Sequence, residues 1–177
     1  MSHSHHEHED SKAVADSERA LKQRRVLGAV MYINGAMAVI EGACGIAARS
    51  TALFTDMLEM AGDSAAAALG RMGVNRSKRW QAWASLAKAA GMMALGLGAA
   101  GWVVFRMFNP VMPVVHLMTA IGGLAFTANA TCAGLLYKYR NDNLNLKSSF
   151  KCVRNDMVAN LGVIGAGLAS KYLTSSW

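Results

Sequence analysis

Long apolar segments are the feature that most limits what this chain can fold into. About five stretches of roughly 20 residues or more, rich in Ala, Gly, Leu, Val and Met, are separated by short charged links. A bilayer core of about 30 Å needs roughly 20 apolar residues of helix to cross it. The segments lack the repeating polar face of a surface helix in a soluble protein. The sequence therefore predicts an all-α, multi-pass transmembrane helical bundle with about five spans.

The charged links set the boundaries of these spans. Residues 1–25 are polar and His-rich, which predicts a flexible tail outside the membrane. The predicted transmembrane bundle covers residues 26–173, with spans at 26–48, 51–70, 82–108, 111–139 and 148–173. Links this short favour antiparallel neighbours in one compact bundle.

Lysine and arginine collect on one side of the predicted bundle. They precede span one, separate spans two and three, and flank the link between spans four and five. Basic loops mark the cytoplasmic side, so the N-terminus is expected in the cytoplasm and the protein in the cell (inner) membrane. The net charge of +7 lies at span ends and forms no basic surface interleaved with aromatic residues. The lipid bilayer, and no nucleic acid, is therefore the expected partner.

Carboxylates inside span two are the strongest functional signal. Asp56, Glu59 and Asp63 are spaced three and four residues apart, which places them on one face of a helix. Each ionised carboxylate near the bilayer centre costs roughly 2.5–3.5 kcal/mol, so three of them need compensation by protons, cations or polar neighbours. Asp56 lies nearer the outer end, where it could reach the interface, so Glu59 and Asp63 carry more weight.

Span five carries a second pair with helical spacing. Cys152 and Asp156 are four residues apart, and Asp156 lies at a depth similar to that of Asp63. Packed side by side, the two helices would present Glu59, Asp63, Cys152 and Asp156 to one another. Zn²⁺ favours four ligands drawn from His, Cys and carboxylate. The cysteine favours Zn²⁺ or Cd²⁺, with Co²⁺ also open, and no organic cofactor is indicated.

Each residue also has a simpler interpretation. An aspartate in a membrane helix can cap a neighbouring helix or pair with a lysine such as Lys88, although Lys88 is expected to reach the cytoplasmic interface. A lone buried cysteine is usually a packing residue, and this holds for Cys152 taken by itself. Four candidate ligands at matched depth in two helices favour a divalent-cation site over these interpretations.

Further polar residues in the spans are weaker candidates. Asn129 and Asn160 could face the same cavity as secondary ligands, as could Asp56. Asn34, Glu41 and Cys132 are expected to connect helices or support the ligands. Glu41 is the most unusual of these, because it lies about two-thirds of the way across span one.

The N-terminal tail holds a separate set of metal-binding side chains. Flexible His-rich tracts bind transition metals weakly, although a solvated tail with no task fits the same composition equally well. The residues of this weak candidate site are His3, His5, His6 and His8.

The acidic motifs resemble those of the cation diffusion facilitators, a family of divalent metal/proton antiporters. Residues 50–63, STALFTDMLEMAGD, look like that family's second span with Glu59 at a position usually held by His. Residues 152–156, CVRND, look like its fifth span with Cys152 at the second His position. The resemblance implies a secondary transporter that exports a Zn-, Cd- or Co-like divalent cation in exchange for protons and forms a homodimer.

The chain also departs from that family's pattern. A sixth span and a C-terminal cytoplasmic domain have no counterpart in the sequence, so the resemblance implies a short form. A second hypothesis is a non-transporting membrane subunit whose acidic helix faces pair with a partner protein. Enzymatic activity is not expected, because no Ser–His–Asp set, nucleotide-binding loop or redox motif is present.

Overall fold

Five helices account for the secondary structure of the described residues. A computed structural model describes residues 3–74, 76–109 and 114–172, except the side chains of residues 3–11, 166 and 170–172. Within these ranges there is no strand. The helices are α1 (His3–Ala48), α2 (Thr51–Gly73), α3 (Lys78–Phe108), α4 (Val115–Tyr137) and α5 (Leu144–Tyr172). The predicted all-α bundle is confirmed.

The helices follow the predicted spans, with differences at their ends. Residues 3–25, predicted as a flexible tail, continue span one as the first part of α1. The Ala, Glu, Lys and Arg of this segment are good helix formers, and the prediction weighed only their polarity. Helices α3 and α5 also begin earlier than predicted. The predicted start of span four at residue 111 and end of span five at residue 173 lie outside the described residues.

Side-chain caps explain where the helices begin. Ser50 caps α2 by accepting a hydrogen bond from the Leu53 N–H at 3.3 Å. Arg49, with a φ of 52°, reverses the chain between α1 and α2. Ser77 caps α3 in the same way as Ser50 caps α2, and Asn143 accepts the N–H of Leu146 at the start of α5. These caps satisfy N–H groups that have no partner within their own helix.

Three helices are long and apolar enough to cross a membrane by length and composition. They are residues Lys12–Ala48 of α1, then α3 and α4. Helices α2 and α5 have 23 and 29 residues, or about 35 and 43 Å at 1.5 Å per residue, and carry the acidic residues. Helices α2 and α5, which carry the residues of the predicted site, thus lie in one bundle with these three longer or more apolar segments.

Helix α2 is at the centre of the bundle. It contacts all four other helices, most extensively α1, while α4 packs mainly against α5 and α1. Helix α3 contacts only α2 and, less, α5 within the described chain, so it lies at the periphery. Gly35 of α1 lies against Ser64 of α2, whose hydroxyl donates to the Met31 carbonyl at 2.8 Å. The central position of α2 decides which of its carboxylates are buried.

Apolar clusters lie above and below the middle of the bundle. The cluster at the end that carries Arg24 and Arg71, here called the basic end, includes Leu27, Leu136 and Leu146. The cluster at the opposite end consists of Ala48, Leu53 and Met118, with partly buried neighbours. The Val114 N–H donates to the Ala48 carbonyl at 3.0 Å and ties the start of α4 to the end of α1. Buried polar residues lie between these two clusters.

Candidate metal centre

Two carboxylates of α2 lie on its buried face. Asp56 and Asp63 are seven residues apart, about two helical turns, and are only 5% and 4% exposed. Glu59 lies to the side of this stripe and is half-buried. The sequence analysis gave Glu59 more weight than Asp56 and expected Asp56 near the interface. In the structure Asp56 is buried, because the face that contains it packs against α1 and the centre of the bundle.

Asp63 of α2 and Asp156 of α5 form a carboxylate pair between the two helices. Their side chains approach closely enough to interact directly, and Asp156 is 7% exposed. One oxygen of each carboxylate is fully buried and has no hydrogen-bond partner among the described residues. Two carboxylates in contact repel each other unless a proton or a cation lies between them. The matched depth predicted for these two residues is thus present as a direct contact.

A lysine lies next to this pair. The Lys88 ammonium of α3 interacts with Asp63 and with the thiol of Cys152, and it donates to the Ser149 hydroxyl at 3.4 Å. Pairing of Lys88 with an aspartate was the simpler alternative in the sequence, where the cytoplasmic interface was the favoured position of Lys88. In the sequence, Lys88 stands out only as a charged residue within an apolar span. That feature does not indicate which side chains it contacts.

The predicted four-ligand set is only partly assembled in this conformation. Asp63 and Asp156 are in contact, while the half-buried Cys152 and Glu59 interact with them only electrostatically. Among the described residues, no group of three or more His, Cys, Asp or Glu side chains could hold a metal ion. The structure therefore brings together two of the four residues and places the other two beside them.

The secondary candidates lie in the same buried region. Asn129 of α4 and Asn160 of α5 are fully buried, and in the described part of the chain their amide groups have no hydrogen-bond partner. Gly122 of α4 packs against Val163 of α5, and this antiparallel register places Asn129 level with Asp156. Both amides could therefore line a cavity beside the acid pair.

Asp56 meets a carboxylate of α1 instead of the membrane interface. Its carboxylate interacts directly with that of Glu41 on α1, which is fully buried. The sequence analysis identified Glu41 as unusual but did not pair it with Asp56. The side chains of the tail candidates His3, His5, His6 and His8 lie outside those that the structure describes.

The chain matches the model of a known protein family. The family model for the cation efflux transmembrane domain matches residues 27–177, most of the chain. The chain belongs to the cation efflux family. Metal-cation transport is the general activity of cation efflux proteins, which are integral membrane transporters, and a metal ion is accordingly the substrate. A comparison with curated proteins gave no match.

The buried carboxylates of α1, α2 and α5, together with Lys88 and Cys152, fall inside the matched region. The carboxylate contact between α2 and α5 lies in the bundle interior, where a transported cation needs ligands. The family match covers both helices that carry this pair.

Proposed function

We propose that this protein exports a divalent cation from the cytoplasm in exchange for protons, using Asp63, Asp156, Cys152 and Glu59 as ligands. The observation that carries the proposal is the contact between Asp63 and Asp156, with buried oxygens that lack a donor among the described residues. A cation between two such carboxylates compensates their charge, and protons do so when the cation leaves. Metal binding and proton binding then exclude each other at one site.

The proposed metal is a borderline or soft ion. The thiol of Cys152 supplies a ligand that Zn²⁺ and Cd²⁺ accept, and Co²⁺ belongs to the same range. Cys152 and Glu59 complete the coordination when a small shift of α5 against α2 brings them to the Asp63–Asp156 pair. The apparent affinity for metal rises with pH, since the ligands must lose their protons to coordinate.

We place the protein in the cell (inner) membrane. In the proposed orientation, the basic end of the bundle faces the cytoplasm. Arg24 and Arg71 at this end follow the bias of lysine and arginine toward cytoplasmic loops. A homodimer, as the family resemblance implies, completes the proposal. Cross-linking or mass photometry of the protein in nanodiscs measures the number of chains.

Metal flux into proteoliposomes tests the ligand assignment. We expect Asp63→Asn and Asp156→Asn each to reduce Zn²⁺, Cd²⁺ and Co²⁺ flux to background, because each removes one of the two charges that hold the cation. Metal-dependent proton movement in the opposite direction should disappear with it. Glu18→Gln is the control, because Glu18 is an exposed carboxylate that pairs with Lys22 outside the bundle.

Two results would contradict the proposal. Full flux in both aspartate variants would show that the pair does not bind the transported ion. No flux by the parent chain, together with a stoichiometric partner in pull-down experiments, would support the alternative of a non-transporting subunit.

A further inference from the structure

A second pair of carboxylates lies nearer the opposite end of the bundle. Glu41 of α1 and Asp56 of α2 interact directly, and they are 0% and 5% exposed. Gly42, next to Glu41, packs against Met57, next to Asp56, and an added Cβ would lie 3.3 Å from the Met57 side chain. This close approach of α1 and α2 fixes the register in which the two carboxylates meet.

The pair lacks any donor that would balance its charge. All four carboxyl oxygens are buried and have no hydrogen-bond partner within the described ranges. The charged groups that act most strongly on Glu41 are themselves acidic, namely Asp56, Glu59 and Asp156. An unpaired buried carboxylate is strongly unfavourable, so a bound cation or protons must compensate this pair.

Among the described residues, the groups that act most strongly on Glu41 and Asp56 include no basic side chain. Lys88 of α3 interacts with Asp63 of α2 and with Cys152 and Ser149 of α5. Arg106, near the other end of α3, lies over the Trp102 ring at 5.2 Å. Buried apolar clusters lie on either side of the pair along the bundle, with Met37, Met60 and Ala125 in the middle and the Ala48–Leu53–Met118 cluster at the opposite end. The charge balance therefore calls for a small ion.

The pair is separate from the Asp63–Asp156 centre. Asp56 and Asp63 are seven residues apart, which corresponds to about 10 Å along α2. One ion cannot bridge that distance, because carboxylate oxygens bind divalent cations at about 2.0–2.6 Å. The two carboxylate pairs each have one member on α2, and they correspond to two separate ion positions.

We propose that Glu41 and Asp56 form a second cation-binding site, which takes a hard divalent cation such as Mn²⁺ or Mg²⁺. Two carboxylates carry the two negative charges that a divalent ion neutralises, and they supply up to four oxygen ligands. No sulfur or nitrogen ligand belongs to this pair, in contrast to the centre that includes Cys152, and oxygen ligands favour hard ions. The proposal does not depend on which residues bind the exported metal.

Counting bound Mn²⁺ tests the site directly. The full chain is placed in nanodiscs at neutral pH, and bound Mn²⁺ is measured by equilibrium dialysis. The Asp63→Asn/Asp156→Asn double variant, which lacks the other carboxylate pair, should retain one saturable Mn²⁺ more than the same protein with Glu41→Gln added. Glu41→Gln or Asp56→Asn alone should each remove one Mn²⁺ from the parent chain. The His-rich N-terminal segment is common to all variants, so the differences isolate the pair.

Two variants of the pair keep the test decisive. Replacement of a carboxylate by its amide removes charge and conserves shape, and Asp56→Asn reports on the same site if Glu41→Gln does not fold. The difference in X-ray absorption of Mn²⁺ between the double variant and the same protein with Glu41→Gln added should show oxygen ligands alone. Equal Mn²⁺ counts with and without Glu41→Gln and Asp56→Asn would overturn the proposal and show that protons neutralise the pair. Metal flux lost in Asp63→Asn tests the transport assignment separately.

Discussion

Lys88 compensates charge at the acidic centre from a third helix. Its ammonium interacts with Asp63 and Cys152, two of the four proposed ligands, and reaches Ser149 on α5. A fixed positive charge next to a carboxylate pair reduces the repulsion there when no metal is bound. The same charge repels an incoming divalent cation, so Lys88 opposes metal binding.

Lys88→Met should therefore strengthen binding of Zn²⁺ or Cd²⁺ about 10-fold, which corresponds to about 1.4 kcal/mol. A competition titration with a metal-sensitive dye, using the protein in nanodiscs, measures the change. Lys78→Met is the matched control, because Lys78 is an exposed residue at the start of the same helix. Unchanged or weaker binding in Lys88→Met would contradict this role.

At the scale of the helices, small residues set the distance between α1 and α2. An added Cβ at Gly35 would lie 3.2 Å from the Ser64 hydroxyl oxygen, which donates to the Met31 carbonyl. Small residues let helix backbones approach closely in membranes. The contact holds α2 against α1, on which the pairing of Asp56 with Glu41 depends.

Gly35→Leu should separate α1 from α2 and destabilise the fold by about 1–3 kcal/mol through overpacking. Unfolding in mixed detergent, followed by circular dichroism, measures the free energy of unfolding. Gly98→Leu on α3 is the control, because an added Cβ there meets no atom within 4 Å. Equal stabilities of the two variants would show that close packing at Gly35 is unimportant.

At the scale of the whole molecule, the N-terminal extension of α1 connects to the link between α4 and α5. Arg19 makes two hydrogen bonds to the Asp142 carboxylate, at 2.9 and 2.7 Å, and Gln23 adds a third at 2.6 Å. Ala20 and Tyr139 are buried in the same cluster. These contacts fix the orientation of the extension outside the transmembrane part of the bundle.

The hydrogen bond from Arg19, with a smaller contribution from Gln23, holds the pKa of Asp142 below its usual value. A pKa lower in the folded than in the unfolded state stabilises the fold above the ordinary Asp pKa of about 3.9. This contribution is lost as the pH falls through the folded pKa of Asp142. Asp142→Asn should thus lower the melting temperature at pH 6 and reduce its decrease on acidification.

Thermal unfolding of the parent and variant between about pH 3 and 6.5 measures this difference. Asp16→Asn removes an exposed carboxylate from the same extension and should leave the pH dependence as in the parent. An Asp142→Asn variant with the parent's full pH dependence would rule out this ion pair as its source.

Sequence alone determined the properties that depend on local spacing. Apolar length predicted the helices, because the membrane demands about 20 such residues in a row. The rise of about 1.5 Å per residue, counted from the cytoplasmic span ends, predicts that Asp63 and Asp156 lie at one depth, and in the structure the two side chains interact. The polar composition of residues 3–25 did not indicate that they continue α1 as a helix.

Tertiary structure decided which residues face each other. A helix of known length can rotate about its axis, and only packing fixes that rotation, so the burial of Asp56 rather than Glu59 followed from the central position of α2. The pairing of Glu41 with Asp56 depends on the register between α1 and α2, and the position of Lys88 depends on the approach of α3 to α5. Contacts between helices are set by side chains distant in sequence, which no local pattern records.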